Sequence, residues 1–520
     1  MQATLLWATL LSIITNTLSA RILAILPFPG RSHQIFHSSV LRALAQRGHE
    51  IVEYSPFPPN KPIANYTHIE IHTSAENLFD NLTYEEIERQ LPRGSVFGLA
   101  ALRVWEFSNI ICEDTFQHKN IRKLIESKDH FDLVITASTF DSILVFGHKF
   151  NAPTIVSQAF AYYSTMNREA GNALSIATVP DSLSFLFMSQ MTFVERLQNF
   201  ISVSLTLFYY YSFQLAKQDA IIKKYYQYPG TPNAAKMVSD VSLTLLNVYP
   251  PLDPQPYTPN IVPIGGISVA SDRVVLPQDI KEFMENATEG VVYFSFGTII
   301  PAHQLPNQVL QIFLNVFKKI PQKVLWKIEA ETIPGLSDNV KIVKWAPQMG
   351  ILEHPNCVAF ITHGGLNSQL EAIHSGVPTV GIPFYIDQPY NVKFNEHKGI
   401  GIKIDLKDLT EETLHSALSS VLKNQKYKEN AQRLSRIFRD RPISPADSAV
   451  FWVEYVLRHK GAHHLRSAAT QLSWYQLALL DVLAAVVAVI VIICFVLRRI
   501  YSLLFVWKKQ PKVTKKKKEN

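Results

Sequence analysis

The segment Val343–Asn391 constrains the fold of this chain most, because its apolar pattern switches repeatedly between the period of a strand and that of a helix. An apolar run (VAFIT) is followed by an amphipathic run (LNSQLEAIHSG), a second apolar run (VPTVGIPF) and a second helical run (DQPYNVKFNEHKG). This alternation predicts a βαβα unit with parallel strands. Polar residues occupy its two strand-to-helix turns, His363-Gly364-Gly365 and Asp387-Gln388, where doubly wound sheets place their ligands.

The same alternation is found in both halves of the chain. In the second half it extends from Gly290 to Ile404. In the first half, a strand at Arg21–Pro27, a helix at Ile35–Arg47 and a strand at Ile51–Tyr54 form another βαβ unit. The sequence therefore predicts two doubly wound α/β domains. The proline-rich stretch Val248–Pro263 is suited to the connection between them.

The amino terminus has the pattern of a secretory signal. Residues 1–20 are apolar and end in Leu18-Ser19-Ala20, a small-residue cleavage pattern. They predict a signal peptide. No lysine or arginine precedes the apolar run, so retention as an uncleaved anchor is the alternative.

The carboxyl terminus has the pattern of a membrane anchor. The apolar run Leu477–Leu497 contains a single charge, Asp481, and is about as long as one helix needs to cross the ~30 Å hydrocarbon core. The basic residues from Arg498 onward predict a cytosolic tail and a luminal body. The final residues Lys517-Lys518-Glu519-Asn520 resemble the dilysine KKxx signal, an address for the endoplasmic reticulum that is read by a receptor.

The distribution of charge and cysteine excludes two classes of protein. The net charge is +7, but residues 498–520 carry +8 of it, so the remainder of the chain is close to neutral. A nucleic-acid partner therefore loses its support. Three cysteines, Cys112, Cys357 and Cys494, exclude a disulfide framework. Cys494 lies in an apolar run, and Cys112 and Cys357 are expected to be two buried small apolar side chains, with a bond between them as the alternative.

Sequons agree with a luminal body. The glycosylation acceptors Asn65, Asn81 and Asn286 each begin an Asn-X-Thr triplet, although such triplets also arise by chance.

The carboxyl-terminal half offers a site for a nucleoside diphosphate. Gly364 and Gly365 let backbone N–H groups approach a diphosphate at a helix amino terminus, and His363 adds a donor. Asn367 and Glu371 are spaced i, i+4 on one helical face, where the carboxylate can accept from ribose hydroxyls. The predicted donor-binding residues are Trp345, Gln348, His363, Gly364, Gly365, Asn367, Ser368, Glu371, Asp387 and Gln388.

Two other chemistries at this site are disfavoured. His354, His363 and His374 do not match a common zinc spacing, so we expect no metal. The domain lacks a well-placed GxGxxG with a following acidic residue, which disfavours a nicotinamide dehydrogenase.

The amino-terminal half offers two candidate catalytic residues. His33 lies between the first strand and the first helix, at the carboxyl edge of the sheet, where the helix dipole favours the neutral imidazole that a general base needs. Asp141 follows a strand predicted at Phe131–Ile135 and could orient that imidazole. A surface histidine without a role and a helix-capping aspartate are the alternatives.

The stretch Ser182–Phe213 is rich in aromatic and aliphatic residues. It can form a helical core layer, or it can form an acceptor cleft or a membrane-facing surface. The sequence leaves both interpretations open.

The chain resembles the UDP-glucuronosyltransferase family, the membrane-bound UDP-glycosyltransferases of the endoplasmic reticulum. The resemblance covers nearly the whole chain and depends most on the long signature WAPQ…HPNCVAFITHGGLNSQLEAIHSGVPTVGIPFYIDQPYN. It implies the GT-B fold, in which two Rossmann-like doubly wound α/β domains face each other across a cleft. It also implies that the second domain holds the UDP-sugar, that the first holds a lipophilic acceptor, and that Ser32-His33 matches the catalytic base.

Two positions depart from many vertebrate members of this family. Ala137 stands where they have an acidic residue after the strand, which leaves Asp141 as the nearest carboxylate. Leu366 replaces the smaller residue usual after His-Gly-Gly. For the first departure there are two interpretations: the turn is shifted, so that Asp141 takes the place of the acidic residue, which we favour, or the pair with His33 is incomplete. The second departure affects helix packing without removing a phosphate donor.

We divide the chain accordingly. The segments are a signal peptide (1–20), an acceptor-binding domain (21–250), a linker (251–266), a UDP-sugar-binding domain (267–445), a return segment to the membrane (446–475), a transmembrane helix (476–497) and a basic cytosolic tail (498–520). We expect a single-pass type I protein of the endoplasmic reticulum membrane with its catalytic body in the lumen.

The expected reaction is an inverting, metal-independent transfer of a glucosyl or glucuronosyl group from a UDP-sugar to hydroxyl groups of small lipophilic acceptors. His33 takes the acceptor proton and Asp141 orients His33. No cofactor is expected beyond the co-substrate, UDP-glucose or UDP-glucuronate, and the lack of a clear arginine site for a sugar carboxylate favours UDP-glucose.

Two other functions are alternatives. One is a non-catalytic UDP-sugar-binding protein of the reticulum, and the other is a transferase dedicated to one lipid or hormone. Membrane lipid is a further expected partner, and association with a second copy of the chain is left open.

Overall fold

The computed structural model describes residues 19–59, 61–75, 99–160, 163–181, 191–269, 275–297, 305–384 and 386–508. It divides into two compact units, one ending at Ser467 and the other beginning at Ala468. Nearly all of the predicted signal peptide, the sequon at Asn81 and the terminal lysines lie outside the described residues.

The first sheet has seven parallel strands in the order β3-β2-β1-β4-β5-β6-β7. Every residue of β4, β5 and β6 is buried, as expected for parallel strands that are covered on both faces. The strands are β1 (Arg21–Ile25), β2 (Glu50–Ser55), β3 (Tyr66–Glu70), β4 (Leu133–Ala137), β5 (Thr154–Gln158), β6 (Leu243–Leu246) and β7 (Ile261–Pro263).

The second sheet has six parallel strands in the order β10-β9-β8-β11-β12-β13. The strand order reverses between β8 and β11, just as it does between β1 and β4 in the first sheet, and ligands of doubly wound folds bind at such switch points. The strands are β8 (Val291–Ser295), β9 (Lys323–Lys327), β10 (Val340–Val343), β11 (Cys357–Thr362), β12 (Thr379–Gly381) and β13 (Gly401–Lys403).

Helices connect the strands of both sheets. Those up to the second sheet are α1 (Arg31–Gln46), α2 (Leu99–Gln117), α3 (Lys119–Glu126), α4 (Val145–Phe150), α5 (Ser164–Glu169), α6 (Phe193–Tyr209), α7 (Leu215–Tyr225), α8 (Ala234–Ser239) and α9 (Gln278–Glu285). Those that follow are α10 (Asn307–Phe317), α11 (Gln348–Leu352), α12 (Leu366–Ser375), α13 (Gln388–His397), α14 (Glu411–Lys423), α15 (Gln425–Arg439) and α16 (Pro445–Arg458).

Two secondary-structure boundaries in the first domain differ from those predicted from the sequence. The strand expected at Phe131–Ile135 is β4, which lies two residues later at Leu133–Ala137. The helix expected from Ile35 already begins at Arg31, so His33 lies in the first turn of α1 and not in the loop before it.

Two segments that the sequence assigned to the linker and to the return segment belong to the first domain in the structure. Ile261–Pro263, inside the expected linker, pairs with β6 as the edge strand β7. Helix α16, at the start of the expected return segment, packs on α1 through the shared apolar core. Glu454 of α16 also pairs with Arg47, with an Nε–Oε1 distance of 3.2 Å. The carboxyl-terminal part of this unit therefore closes back on the first domain.

The second unit contains the apolar carboxyl-terminal helix. After the short helix α17 (Trp474–Leu477), helix α18 spans Leu480–Lys508. Within its segment Leu480–Phe505, a stretch of 18 residues has a mean hydropathy of 3.2, and none of that stretch is buried inside the protein. The helix is long and apolar enough to cross a bilayer, and it continues past Leu497, where the predicted span ended.

Candidate active site

The turn between β11 and α12 is shaped to receive an anion. Gly365 occupies the N-cap position of α12 without a side-chain cap, so the first N–H groups of the helix have no partner within it. Gly364 has a φ of +83°, and a Cβ there would lie 2.3 Å from Val392 Cγ2. A Cβ at Gly365 would lie 2.7 Å from His363 Nε2. Glycine is required at Gly364 and leaves the His363 ring undisturbed at Gly365, and the bare backbone is left open to a phosphate.

His363 stands beside these open N–H groups. Its Nδ1 is buried and has no hydrogen-bond partner among the described residues. Burial, with a smaller effect from Lys327, lowers the pKa of His363 to about 4, so the ring is neutral at physiological pH. Lys327 donates from Nζ to the carbonyl of Gly297, at 2.9 Å. The anion site thus has a neutral ring donor with a buried ammonium group nearby.

A polar group on α11 and α12 can hold a ribose. Gln348, the first residue of α11, donates from Nε2 to Ser368 Oγ at 3.0 Å and also to the carboxylate of Glu371. Burial raises the pKa of Glu371 to about 7, against the effect of the Gln348 hydrogen bond. The indole of Trp345 lies in the loop between β10 and α11 and is 58% exposed, which leaves a ring face for a base.

Asn391, which was not predicted as a site residue, links the turn at Asp387 to the turn at Gly364. Asn391 donates from Nδ2 to the carbonyl of Gly364 at 2.9 Å and to Asp387 Oδ2 at 3.0 Å. Burial raises the pKa of Asp387 to about 6. Gln388 accepts from the backbone N–H of Phe384 at 2.9 Å. Asn391 follows Asp387 by four positions at the start of α13, so helical spacing could have identified it.

Asn367 connects the second domain to the first. Its Nδ2 donates to the carbonyl of Ser32 at 2.7 Å, and its Oδ1 accepts from Asn247 Nδ2 at 2.8 Å. Asn247 also donates to the carbonyl of Ala159, at 2.8 Å. The structure thus places Asn367, predicted as a donor-site residue, against the turn that carries His33. Asn247 was not predicted, although a polar residue directly after strand β6 is a signal that could have found it.

His33 lies in the first turn of α1 between two aromatic rings. Its ring centroid is 4.4 Å from that of Phe28 and 5.5 Å from that of Phe160. Burial lowers the pKa of His33 to about 4. The imidazole is therefore neutral at physiological pH, as a proton acceptor must be.

Asp141 is turned toward a different partner. It begins a short 3-10 turn after β4 and accepts from the hydroxyl of Tyr210 at 3.0 Å. Burial raises its pKa to about 6. In the part of the chain that the structure describes, no hydrogen bond joins Asp141 to His33, so the expected dyad is not formed. The physical reason is the long-range packing of Tyr210, which captures the carboxylate.

The remaining predicted positions are the sequons and the cysteines. Asn65 and Asn286 are exposed. Cys112 and Cys357 are free and buried, while Cys494 is free and exposed in the apolar helix.

A family model described as "UDP-glucoronosyl and UDP-glucosyl transferase" matches residues 22–518. The chain is 36% identical to UDP-glycosyltransferase UGT5 of Dactylopius coccus, over 98% of this chain and 99% of that one. It is 33% identical to UDP-glucuronosyltransferase 2B9 of Macaca fascicularis, over 92% of each chain.

Solved structures share the fold. The glycotransferase of kitacinnamycin matches with a TM-score of 0.55 and 17% identity, covering 85% of this chain and 99% of that one. The spinosyn forosaminyltransferase SpnP matches with a TM-score of 0.55 and 17% identity, covering 84% and 99%. These likenesses, together with the two parallel sheets, confirm the predicted GT-B fold.

Proposed function

Since this chain belongs to the UDP-glucuronosyl and UDP-glucosyl transferase family, whose members transfer sugars from UDP-sugars, we propose a more specific reaction for it. The chain moves a glucosyl or glucuronosyl group to hydroxyl groups of small lipophilic acceptors, with inversion and without a metal. The observation that carries this proposal is the 2.7 Å hydrogen bond from Asn367 to the carbonyl of Ser32. It sets the donor-binding helix α12 directly against the turn of the proposed base.

The donor is held by the second domain. The free N–H groups at the start of α12 and the neutral ring of His363 receive the diphosphate. Glu371, supported by Gln348, accepts from the ribose hydroxyls, and Trp345 stacks on the uracil. Asp387, beside the same turn, accepts from hydroxyls of the sugar.

His33 starts the transfer. Its neutral ring takes the proton of the acceptor hydroxyl while the acceptor oxygen forms a bond to the anomeric carbon of the sugar. The bond from that carbon to the diphosphate breaks, and its electron pair leaves with UDP. Attack from the face opposite UDP inverts the anomeric configuration. The negative charge that grows on UDP is stabilised by the amino terminus of α12 and by His363.

The surface of α6 supports attachment to lipid in addition to the carboxyl-terminal helix. Polar residues Asn199 and Ser202 are buried, whereas Phe193, Phe200 and Phe208 are 71%, 56% and 63% exposed. A helix with an exposed apolar face is typical of the membrane interface. Of the two interpretations of the stretch 182–213, this pattern favours the membrane-facing one over its described part. We place the protein in the membrane of the endoplasmic reticulum, with its body in the lumen and lipophilic acceptors arriving from the bilayer.

The membrane contact can be measured on the full-length chain in lipid nanodiscs. A spin label at Phe200→Cys should be relaxed mainly by oxygen, a relaxation agent that dissolves in lipid. The same label at the exposed position Glu289→Cys of the second domain should be relaxed mainly by a water-soluble nickel chelate. Equal exposure of both labels to the chelate would refute the lipid contact.

The reaction itself is tested by supplying UDP-glucose and UDP-glucuronate side by side with a panel of lipophilic phenols and alcohols. We expect acceptor-dependent release of UDP, with UDP-glucose as the better donor, because none of the residues predicted to contact the donor is an arginine. A chain that binds UDP but releases none with either donor would instead be a UDP-sugar-binding protein.

A further inference from the structure

The first domain contains a small polar cavity to which the reaction described above assigns no role. It has a volume of about 40 Å³, whereas one buried water needs roughly 10–15 Å³. It can therefore hold a small head group but not a whole acceptor. The residues that line it and carry the argument are Trp105, Asp141, Tyr163, Glu169, Tyr210 and Asn260.

The walls of this cavity present more hydrogen-bond acceptors than donors. The hydroxyl of Tyr210 donates to Asp141 at 3.0 Å and also contacts Glu169, although a phenol has only one proton to give. Neither carboxylate forms an ion pair within the described part of the chain. Burial raises the pKa of both carboxyl groups, and at Glu169 the charge of the neighbouring Arg168 opposes that rise without cancelling it.

Two oxygens of the lining have no partner at all among the described residues. Glu169 Oε1 is inaccessible to solvent and receives no hydrogen bond. The same holds for Oδ1 of Asn260, a residue that is only 3% exposed. An unpartnered buried acceptor destabilises the fold by about 1–3 kcal/mol, so a ligand that supplies donors would relieve two such deficits at once.

The chemistry of the walls selects an organic cation. A carboxylate or phosphate would add acceptors and negative charge to a site that already has both. A metal ion is disfavoured, because the described residues contain no group of three or more histidine, cysteine or acidic side chains suited to one. An alkylammonium group supplies N–H donors and a positive charge, and the rings of Trp105, Tyr163 and Tyr210 offer faces that attract a cation.

A chain of ring contacts leads from the cavity to the proposed base. The ring of Tyr163 lies 5.8 Å from that of Phe160, nearly parallel to it. The ring of Phe160 lies 5.5 Å from that of His33. Phe160 therefore lies between the cavity and His33, and the body of a ligand with its head group in the cavity would have to cross the Phe160 ring to reach the base.

We propose that this cavity binds the protonated amine of the acceptor, so that the preferred acceptors are lipophilic hydroxyl compounds that carry a basic amine. Glu169 and Asp141 pair with the ammonium group, and Asn260 accepts one of its hydrogens. The inference rests on the proposed function, since it names the class of acceptor that the same transferase uses.

The test compares two phenols of equal shape, para-(2-aminoethyl)phenol, whose primary ammonium group has three N–H donors, and its neutral isostere para-propylphenol, on the full-length protein in nanodiscs. Binding is measured by calorimetry and transfer by kcat/KM. We expect the wild type to bind the amine at least about tenfold more tightly than the isostere. The ratio of amine to isostere should fall about tenfold or more in Glu169→Gln. The exposed substitution Glu289→Gln is the matched control and should keep the wild-type ratio.

Equal binding of the two phenols by the wild type would overturn the proposal without any variant. A preference that survives in both Glu169→Gln and Asp141→Asn would overturn it as well, because it would arise elsewhere. Loss of the preference for the amine in a folded Glu169→Gln protein supports the proposal. If Glu169→Gln does not fold, the same comparison is made with Asp141→Asn. If neither phenol is glycosylated while the binding preference holds, the proposed function fails and the cation site stands.

Discussion

The contact between the two domains yields a prediction for Asn247, whose side chain is fully buried. It donates to Asn367 Oδ1 and to the carbonyl of Ala159, both at 2.8 Å. Asn247→Ala removes both donors, and each acceptor left without a partner costs about 1–3 kcal/mol. The loss of the hydrogen bond to Asn367 weakens the contact between the two domains beside His33.

The consequence of that weaker contact is a less populated arrangement of base and donor. Because each 1.4 kcal/mol is about tenfold in an equilibrium constant, a loss of about 1–3 kcal/mol shifts the equilibrium against that arrangement by roughly 5- to 140-fold. We expect kcat/KM for transfer to fall at least about fivefold in Asn247→Ala. UDP affinity should change less than about twofold, because Asn247 does not belong to the predicted donor site.

A matched control separates this effect from a general loss of stability. Asn339 makes similar bonds inside the second domain, donating to the carbonyls of Phe317 and Gln322 at 2.9 and 3.0 Å. Asn339→Ala should lower the melting temperature while leaving kcat/KM unchanged at a permissive temperature. The reasoning is refuted if Asn247→Ala keeps wild-type kcat/KM, or if both variants lose activity in proportion to their loss of stability.

Three further predictions concern the donor site and the sequons. Gly365→Ala brings a methyl group against His363 and should weaken UDP binding about tenfold or more, measured by calorimetry, since a hydrogen bond to a charged group contributes about 1.5–3 kcal/mol. The carboxyl group of Glu371, with its pKa raised to about 7, is mostly ionised at pH 8 and mostly protonated at pH 6, so UDP-glucose affinity should fall as the pH falls through 7. In Glu371→Gln this dependence should vanish, and its persistence would contradict the assignment. Asn65→Gln and Asn286→Gln should each remove one glycan, seen as a faster band on a denaturing gel; unaltered mobility would contradict a luminal site.

The features that sequence predicted well are those set by local pattern. Two doubly wound domains follow from alternating strand and helix periods, and the glycine turn before α12 follows from the residues at a strand end. His363, Gly364 and Gly365 accordingly lie where expected at the carboxyl end of β11.

The features that sequence did not predict depend on contacts between distant segments. Tyr210 reaches Asp141 from 69 positions away and turns its carboxylate from the expected partner. Asn367 meets Ser32 across 335 positions, so no local period reports that contact. The start of α1 was misplaced for a local reason, since the apolar residues at helical spacing begin only at Ile35, whereas the helix begins at Arg31.

The central claim is that His33 is the base of the transfer, while the donor is bound by the other domain. The most direct measurement is therefore transfer and UDP binding by His33→Ala, made in parallel on the same full-length preparation. Since a general base contributes about 10²–10⁴-fold to the rate, we expect transfer to fall at least about 100-fold while UDP affinity stays at the wild-type value. Full transfer by His33→Ala, or a loss of UDP binding that accompanies the loss of transfer, would contradict this account.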